Sequence, residues 1–183
     1  NKSISDMAKG VADMHEEGLV SRDIKPQNVL VNENRKGNYE ASIADFGIAV
    51  PRDGVIQNAP VIAKVDLEQV VENIVKHEEE TQISPGSLPF AAPEQAGGSI
   101  DPALDSFALG RTALYALGAL NQLDLSKKAY TKDELGNISL TQPPERLIPR
   151  VPAPRRLVSI LRQTQNLDPK KRPSAEQIAE AAA

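Results

Sequence analysis

The chain has no cysteine among its 183 residues, which excludes disulfides and thiolate metal sites and agrees with a reducing compartment. A cytoplasmic protein is the expectation. No apolar run approaches the roughly 18 residues needed to span a bilayer, and the first helix-like segment has no signal-peptide hydrophobic region. An excess of basic charge is missing too. With 21 Lys and Arg against 25 Asp and Glu, the net charge of -4 excludes a general attraction to nucleic acid or to an anionic membrane surface. Any phosphate chemistry must therefore be local. What remains is ordinary: 40% hydrophobic and 25% charged residues suit a folded chain of this length with one domain and a sizeable core.

Along the chain, Ile4, Met7, Val11 and Met14 recur at helical spacing, with Gly18 placed as a stop. Asn28 to Val31 and Ala41 to Ala44 are short β-prone runs around a polar stretch with Gly37 as turn residue, so a small hairpin is expected. Between Ile48 and Ala91 only Val65 to His77 looks helical, and a connection this long is usually functional. Asp101-Pro102 resembles an N-cap with a first-turn proline, leading into Phe107 to Leu120, which is apolar almost all round and belongs inside the protein. Pro143, Pro144, Pro149, Pro152 and Pro154 make their stretch neither helix nor central strand. Leu157 to Leu161 opens another helix, and Ser174 with Gln177 forms a capping box for the last one. His15 reads as a helix-surface or packing residue and His77 as a solvated one, since neither has a metal-binding partner at sensible spacing. The run Glu78 to Glu80 reads as a solvated helix end.

The chemistry concentrates in Ser21-Arg22-Asp23-Ile24-Lys25-Pro26-Gln27-Asn28 and, after the second β-prone run, Asp45-Phe46-Gly47. Taken singly, Asp23 is a common turn residue and Asn28 a common strand-start cap. Together they supply a carboxylate to orient a hydroxyl, an ammonium to offset phosphate charge, and an amide and a second carboxylate to hold a metal, which are the parts phosphoryl transfer needs. The first run resembles the protein-kinase catalytic loop H-R-D-x-K-P-x-N, with Ser21 at the His position, and the second resembles the family's D-F-G.

The resemblance is to eukaryotic-type (Hanks-type) Ser/Thr protein kinases, specifically the C-terminal lobe of the catalytic domain. It implies a mainly α fold with a short β-hairpin, part of the α+β protein-kinase-like fold, filling residues 1–183. The catalytic loop would be 21–28, the D-F-G 45–47, the activation segment 45–94 and the central buried helix about 105–120. By the same resemblance Asp23 is the catalytic base or hydroxyl-orienting residue, and Lys25 contacts the transferred phosphate. Asn28 and Asp45 bind Mg2+, and Leu30 sits under the adenine of ATP. Further down, Gly86 to Glu94 resembles G-T-P-x-Y-x-A-P-E, with Ser87 at the Thr position and Leu88 for Pro. Asp105 to Gly110 is similar to D-x-W-S-L-G, with Phe107 for Trp, and Leu167 to Pro173 resembles the closing motif. Arg172 is then expected to pair with Glu94, and Asp105 to hold the backbone of the catalytic loop.

Three departures bear on function. Neither G-x-G-x-x-G nor V-A-I-K occurs in the sequence, so the lobe that clamps ATP is expected upstream of Asn1, in a longer kinase from which this chain is cut, or to be missing by natural truncation. Ser21 in place of His is expected to leave a small void beneath Phe46. The stretch from Gly47 to Ala92 is long for an activation segment. Arg22, by resemblance, would bind a phosphorylated residue there, with Thr81 and Ser84 as candidates and Ser87 kept for contact with the catalytic loop. The implied activity is transfer of the ATP γ-phosphate to a protein Ser or Thr, inactive without the upstream lobe; a partner-binding scaffold is the alternative.

Overall fold

A computed structural model describes residues 1–45, 49–52, 89–97, 99–120, 130–132, 138–140 and 153–183. The expected helix Val65 to His77, the run Glu78 to Glu80 and Pro143 to Pro152 lie outside them, as do Phe46, Gly47, Thr81, Ser84, Ser87 and Leu88.

Helix α1 (Lys2–Glu16) buries Ile4, Met7, Ala8, Val11 and Met14 along one stripe, as their spacing dictates. It ends where Gly18 takes a left-handed φ of 78° and donates its N–H to the His15 carbonyl at 3.1 Å, a conformation that glycine adopts without Cβ strain. Strand β1 (Leu19–Val20) follows and later pairs antiparallel with β4 (Val50–Pro51). Between them, β2 (Val29–Glu33) and β3 (Tyr39–Ile43) form the expected hairpin, with Val29 opposite Ile43 and Glu33 opposite Tyr39. Its turn is built on Asn34, whose side-chain oxygen accepts from the N–H groups of Lys36 and Asn38 at 3.0 and 3.1 Å, an Asx-type closure. A third antiparallel pair joins β5 (Tyr130–Lys132) to β6 (Ile138–Leu140).

Helix α2 (Ala103–Ala116) is buried from Leu104 through Leu114. Asp101 caps its start by accepting from the Ala103 N–H at 2.8 Å. The helix begins and ends earlier than the expected 105–120. It stops because Gly118, at φ 69°, lets its own N–H reach the Tyr115 carbonyl at 2.9 Å and the Ala119 N–H reach the Leu114 carbonyl at 2.8 Å, the two bonds of a Schellman motif. Helices α3 (Arg155–Thr164) and α4 (Ala175–Ala182) complete the chain, and α4 carries the expected capping box between Ser174 and Gln177.

One apolar core joins the four helices of the described residues: Met7, Val11 and Met14 of α1, Leu109 and Leu114 of α2, Leu157 and Leu161 of α3, and Ile178 of α4. Each such side chain, fully buried, contributes about 1.5–3 kcal/mol relative to exposure. The hairpin lies against α1, so the loop from Ser21 to Asn28 is suspended between that helix and α2. Among the described residues, no helix is long and apolar enough to cross a membrane.

α2 and α3 meet at Gly110, where a Cβ would lie 1.8 Å from Thr164 Oγ1 and 2.6 Å from Thr164 Cβ. Thr164 cannot swing aside, because it is buried and its hydroxyl is bonded to the Leu161 carbonyl at 2.7 Å. Gly110→Ala is therefore expected to lower stability by about 3 kcal/mol through overpacking, read as a fall in the urea midpoint at unchanged slope.

Candidate active site

The loop after β1 has two fixed ends. At its start the fully buried carboxylate of Asp105, on α2, accepts from the backbone N–H groups of Ser21 at 2.7 Å and Arg22 at 2.8 Å. At its end Pro26 opens a 3-10 turn, Pro26–Asn28, in which the Asn28 N–H reaches the Lys25 carbonyl at 3.0 Å. Proline suits this first position because its φ is already helical and no N–H is wanted there.

Within that frame the side chains converge. Lys25 Nζ lies 2.6 Å from Asp23 Oδ2. Asn28 Nδ2 donates to the same oxygen at 3.0 Å and to the Asp23 carbonyl at 2.9 Å. The Asp23 carboxylate is thus held in one orientation by a cation and an amide. Because the Asn28 NH2 is committed to Asp23, its amide oxygen faces the other way and is the atom offered to a hard cation. The hairpin ladder continues one step past Val29 and Ile43 with the Ala44 N–H on the Asn28 carbonyl at 2.7 Å, and Asp45 is next in the chain. Asp45 is exposed, with a left-handed φ of 62°.

An amide oxygen and a carboxylate are a donor set that fits Mg2+, which takes one or two carboxylates and completes its shell with water and substrate phosphate. It does not fit a cation that needs an all-protein cage, and among the described residues no cluster of three or more His, Cys, Asp or Glu could hold a metal. Leu30 lies on β2 opposite Ser42 and is 53% exposed, an apolar face open to a flat ligand.

Arg22 also has a left-handed backbone, φ 63°. Burial pushes its guanidinium below the usual range, with the Asp105 charge opposing that shift. Its Nε is buried and has no hydrogen-bond partner among the described residues. Such a donor beside the site fits an anion.

Two residues here escaped the sequence reading. His15 is a partner of the site and not simply a surface or packing residue: its Nε2 lies 2.9 Å from Asp105 Oδ2. Helical spacing could have found it, because His15 follows Val11 by one turn and shares its buried face. Gln95 donates Nε2 to the Arg22 carbonyl at 2.8 Å, and no local pattern marks it.

The matching family model is described as protein kinase domain, and it covers residues 1–182. The chain belongs to this family. Among curated proteins it is 28% identical over 98% of its length to serine/threonine-protein kinase pkn2 of Myxococcus xanthus, and 26% identical over 96% to eukaryotic translation initiation factor 2-alpha kinase pek-1 of Caenorhabditis elegans. It is 29% identical over 62% to serine/threonine-protein kinase PknF of Mycobacterium tuberculosis. The chain spans only 20%, 15% and 20% of these relatives' own lengths.

The segment that carries Gln95 is also held by an ion pair. Arg172, whose side chain is fully buried, donates from Nη1 and Nη2 to the two oxygens of Glu94, the second contact at 3.0 Å. Its guanidinium also lies 4.9 Å from the centre of the Phe107 ring, a favourable cation–π distance. Glu94→Gln leaves that buried cation without its charge partner and is expected to lower stability by about 3–5 kcal/mol. Asp6→Asn, which removes the solvent-exposed Lys2 pair, is expected to leave the unfolding midpoint unchanged. Equal shifts in the two variants would remove the ion pair from the fold's supports.

Proposed function

We propose that this chain is the C-terminal lobe of a Ser/Thr protein kinase, transferring the γ-phosphate of ATP to a protein hydroxyl once an upstream lobe is present. The observation that carries the reading is the convergence of Lys25 and Asn28 on one oxygen of Asp23, and Asp45 follows in sequence on the Ala44–Asn28 bond of the hairpin. Asp23 accepts or orients the proton of the attacking hydroxyl. Lys25, 2.6 Å from it, is close enough to meet a phosphoryl oxygen while still holding the base. Asn28 and Asp45 are the residues that would hold Mg2+, which when bound offsets charge on the phosphates. Leu30 offers the apolar surface for adenine. The Gly-rich loop and ATP-clamping Lys, which have no counterpart in the 183 residues, come from the upstream lobe. Arg22, with its buried Nε, is the receptor for a phosphorylated side chain of the activation segment, Thr81 or Ser84.

The full-length protein is expected to phosphorylate Ser or Thr in a general acceptor protein, and Asp23→Asn to reduce turnover by about 10²–10⁴-fold with the fold intact by circular dichroism. Residues 1–183 alone are expected neither to transfer phosphate nor to bind ATP tightly, because positioning and preorganisation are most of what a kinase supplies. A folded full-length protein without phosphotransfer would turn the reading to a partner-binding scaffold.

The metal assignment has its own measurement. In calorimetric titration with MgATP, Asp45→Ala is expected to weaken binding more than Asn28→Ala, since a hard cation loses a charged ligand in one case and a neutral one in the other. The reverse order would contradict the assignment.

A further inference from the structure

Among the described residues, Arg22 and Asp45 are the non-glycine residues with a left-handed backbone. Such a conformation costs of order 1–3 kcal/mol and persists only where the surroundings over-determine it. At Arg22 both peptide groups are held. The N–H before it donates to Asp105 Oδ1 at 2.8 Å, and the carbonyl after it accepts from Gln95 Nε2 at 2.8 Å.

That carbonyl shares a rigid plane with the Asp23 N–H, so whatever fixes it also fixes the direction in which Asp23 leaves the chain. The N–H end of the plane reaches Ser21 Oγ at 3.4 Å, longer than an ordinary hydrogen bond. Of these two ties, the one from Gln95 is the firm one. Gln95 is itself 6% exposed and sits in a seated segment. Its N–H bonds the Ala92 carbonyl at 3.0 Å, Phe90 to Ala92 are buried, Arg111 Nε donates to the Pro89 carbonyl, and Glu94 is locked to Arg172.

We infer that Gln95 is a positioning residue: its amide sets the Arg22–Asp23 peptide plane, and so the aim of the Asp23 carboxylate, from the seat of residues 89–97. The inference rests on the reading of Asp23 as the hydroxyl-orienting group. A displaced segment withdraws the amide, and the loop loses one of the two bonds that hold Arg22 in its strained form. The site's geometry is thereby tied to the segment that follows the activation loop, over 73 residues of sequence.

The donor requirement supplies the test. A carbonyl oxygen only accepts, so Leu at 95 fills similar volume without the bond, and Glu at 95 can donate only when protonated. In the full-length protein, Gln95→Leu is expected to lower kcat about 10- to 100-fold, in the range by which small misplacements of catalytic groups act, with KM for MgATP unchanged. For Gln95→Glu, the ratio of variant to wild-type kcat is expected to rise as pH falls from about 8 to about 6, because a buried carboxyl pressed against a carbonyl titrates above its usual range. A merely structural role would give a flat ratio. Independently of activity, hydrogen exchange at the amides of residues 22–24 is expected to quicken in Gln95→Leu while α2 amides keep their protection. If the wild type is inert but this exchange changes, the kinase reading fails and the Gln95 tie stands. If the wild type is active and both variants match it in kcat and exchange, the inference is overturned.

Discussion

A carboxylate that is fully out of water must be surrounded by donors, and Asp105 obtains them from three directions. It takes the Ser21 and Arg22 backbone N–H groups and His15 Nε2, all within 2.9 Å. Because a carboxylate only accepts, Nε2 is the ring nitrogen that carries the proton. Hydrogen bonds to a charged group contribute about 1.5–3 kcal/mol each, so two backbone donors offset the roughly 1–3 kcal/mol of a left-handed Arg22. The balance lets an irregular loop keep one shape. Since Asp105 sits on α2, itself buried over most of its length, the loop inherits the rigidity of the core helix.

The same helix holds other segments. Arg111, one position after Gly110, reaches the Pro89 carbonyl, and the Phe107 carbonyl accepts from Gln165 Nε2 at 3.1 Å. The Phe107 ring has the Arg172 guanidinium at 4.9 Å and that of Arg111 at 5.9 Å. Polar residues on a buried helix would be costly alone. Here Asp105 and Arg111 each tie down a segment without regular structure, so α2 is both core and scaffold. Surface pairs such as Lys2 with Asp6 cannot share this role, because water and salt compete for both partners.

Much of this frame was legible in the sequence, and the reasons differ by element. α1, the hairpin and the capping box of α4 follow from local spacing and cap chemistry, which need no knowledge of partners. The pairing of Glu94 with Arg172, and of Asp105 with the loop, was legible only through family resemblance, since nothing in the residues themselves announces a contact across 78 or 83 positions. The end of α2 was misjudged because Leu117 to Leu120 continues the apolar pattern while Gly118 breaks the backbone. β1 and β4 have two residues each, too few for periodicity to register. Gln95 was invisible for a different reason. A glutamine in a loop has no preferred chemistry until a carbonyl from elsewhere in the chain is brought to it.

Ser21 shows which part of the loop depends on side-chain identity. Its place by resemblance belongs to His, and the expectation was a small void beside Phe46. The tie from residue 21 to Asp105, however, runs through the backbone N–H, which every residue except proline supplies. Ser21 is buried and keeps that bond at 2.7 Å. The exchange of a ring for a hydroxyl therefore leaves the loop's anchorage alone. An imidazole reaches Asp105 from α1: His15 Nε2 meets Oδ2, the oxygen that also accepts from the Ser21 N–H. The buried acceptor at 105 is a carboxylate, whereas the two donors the loop gives it are main chain. The strain at Arg22 is retained for the same reason, because releasing it would pull a backbone N–H from a charge that has no water to replace it.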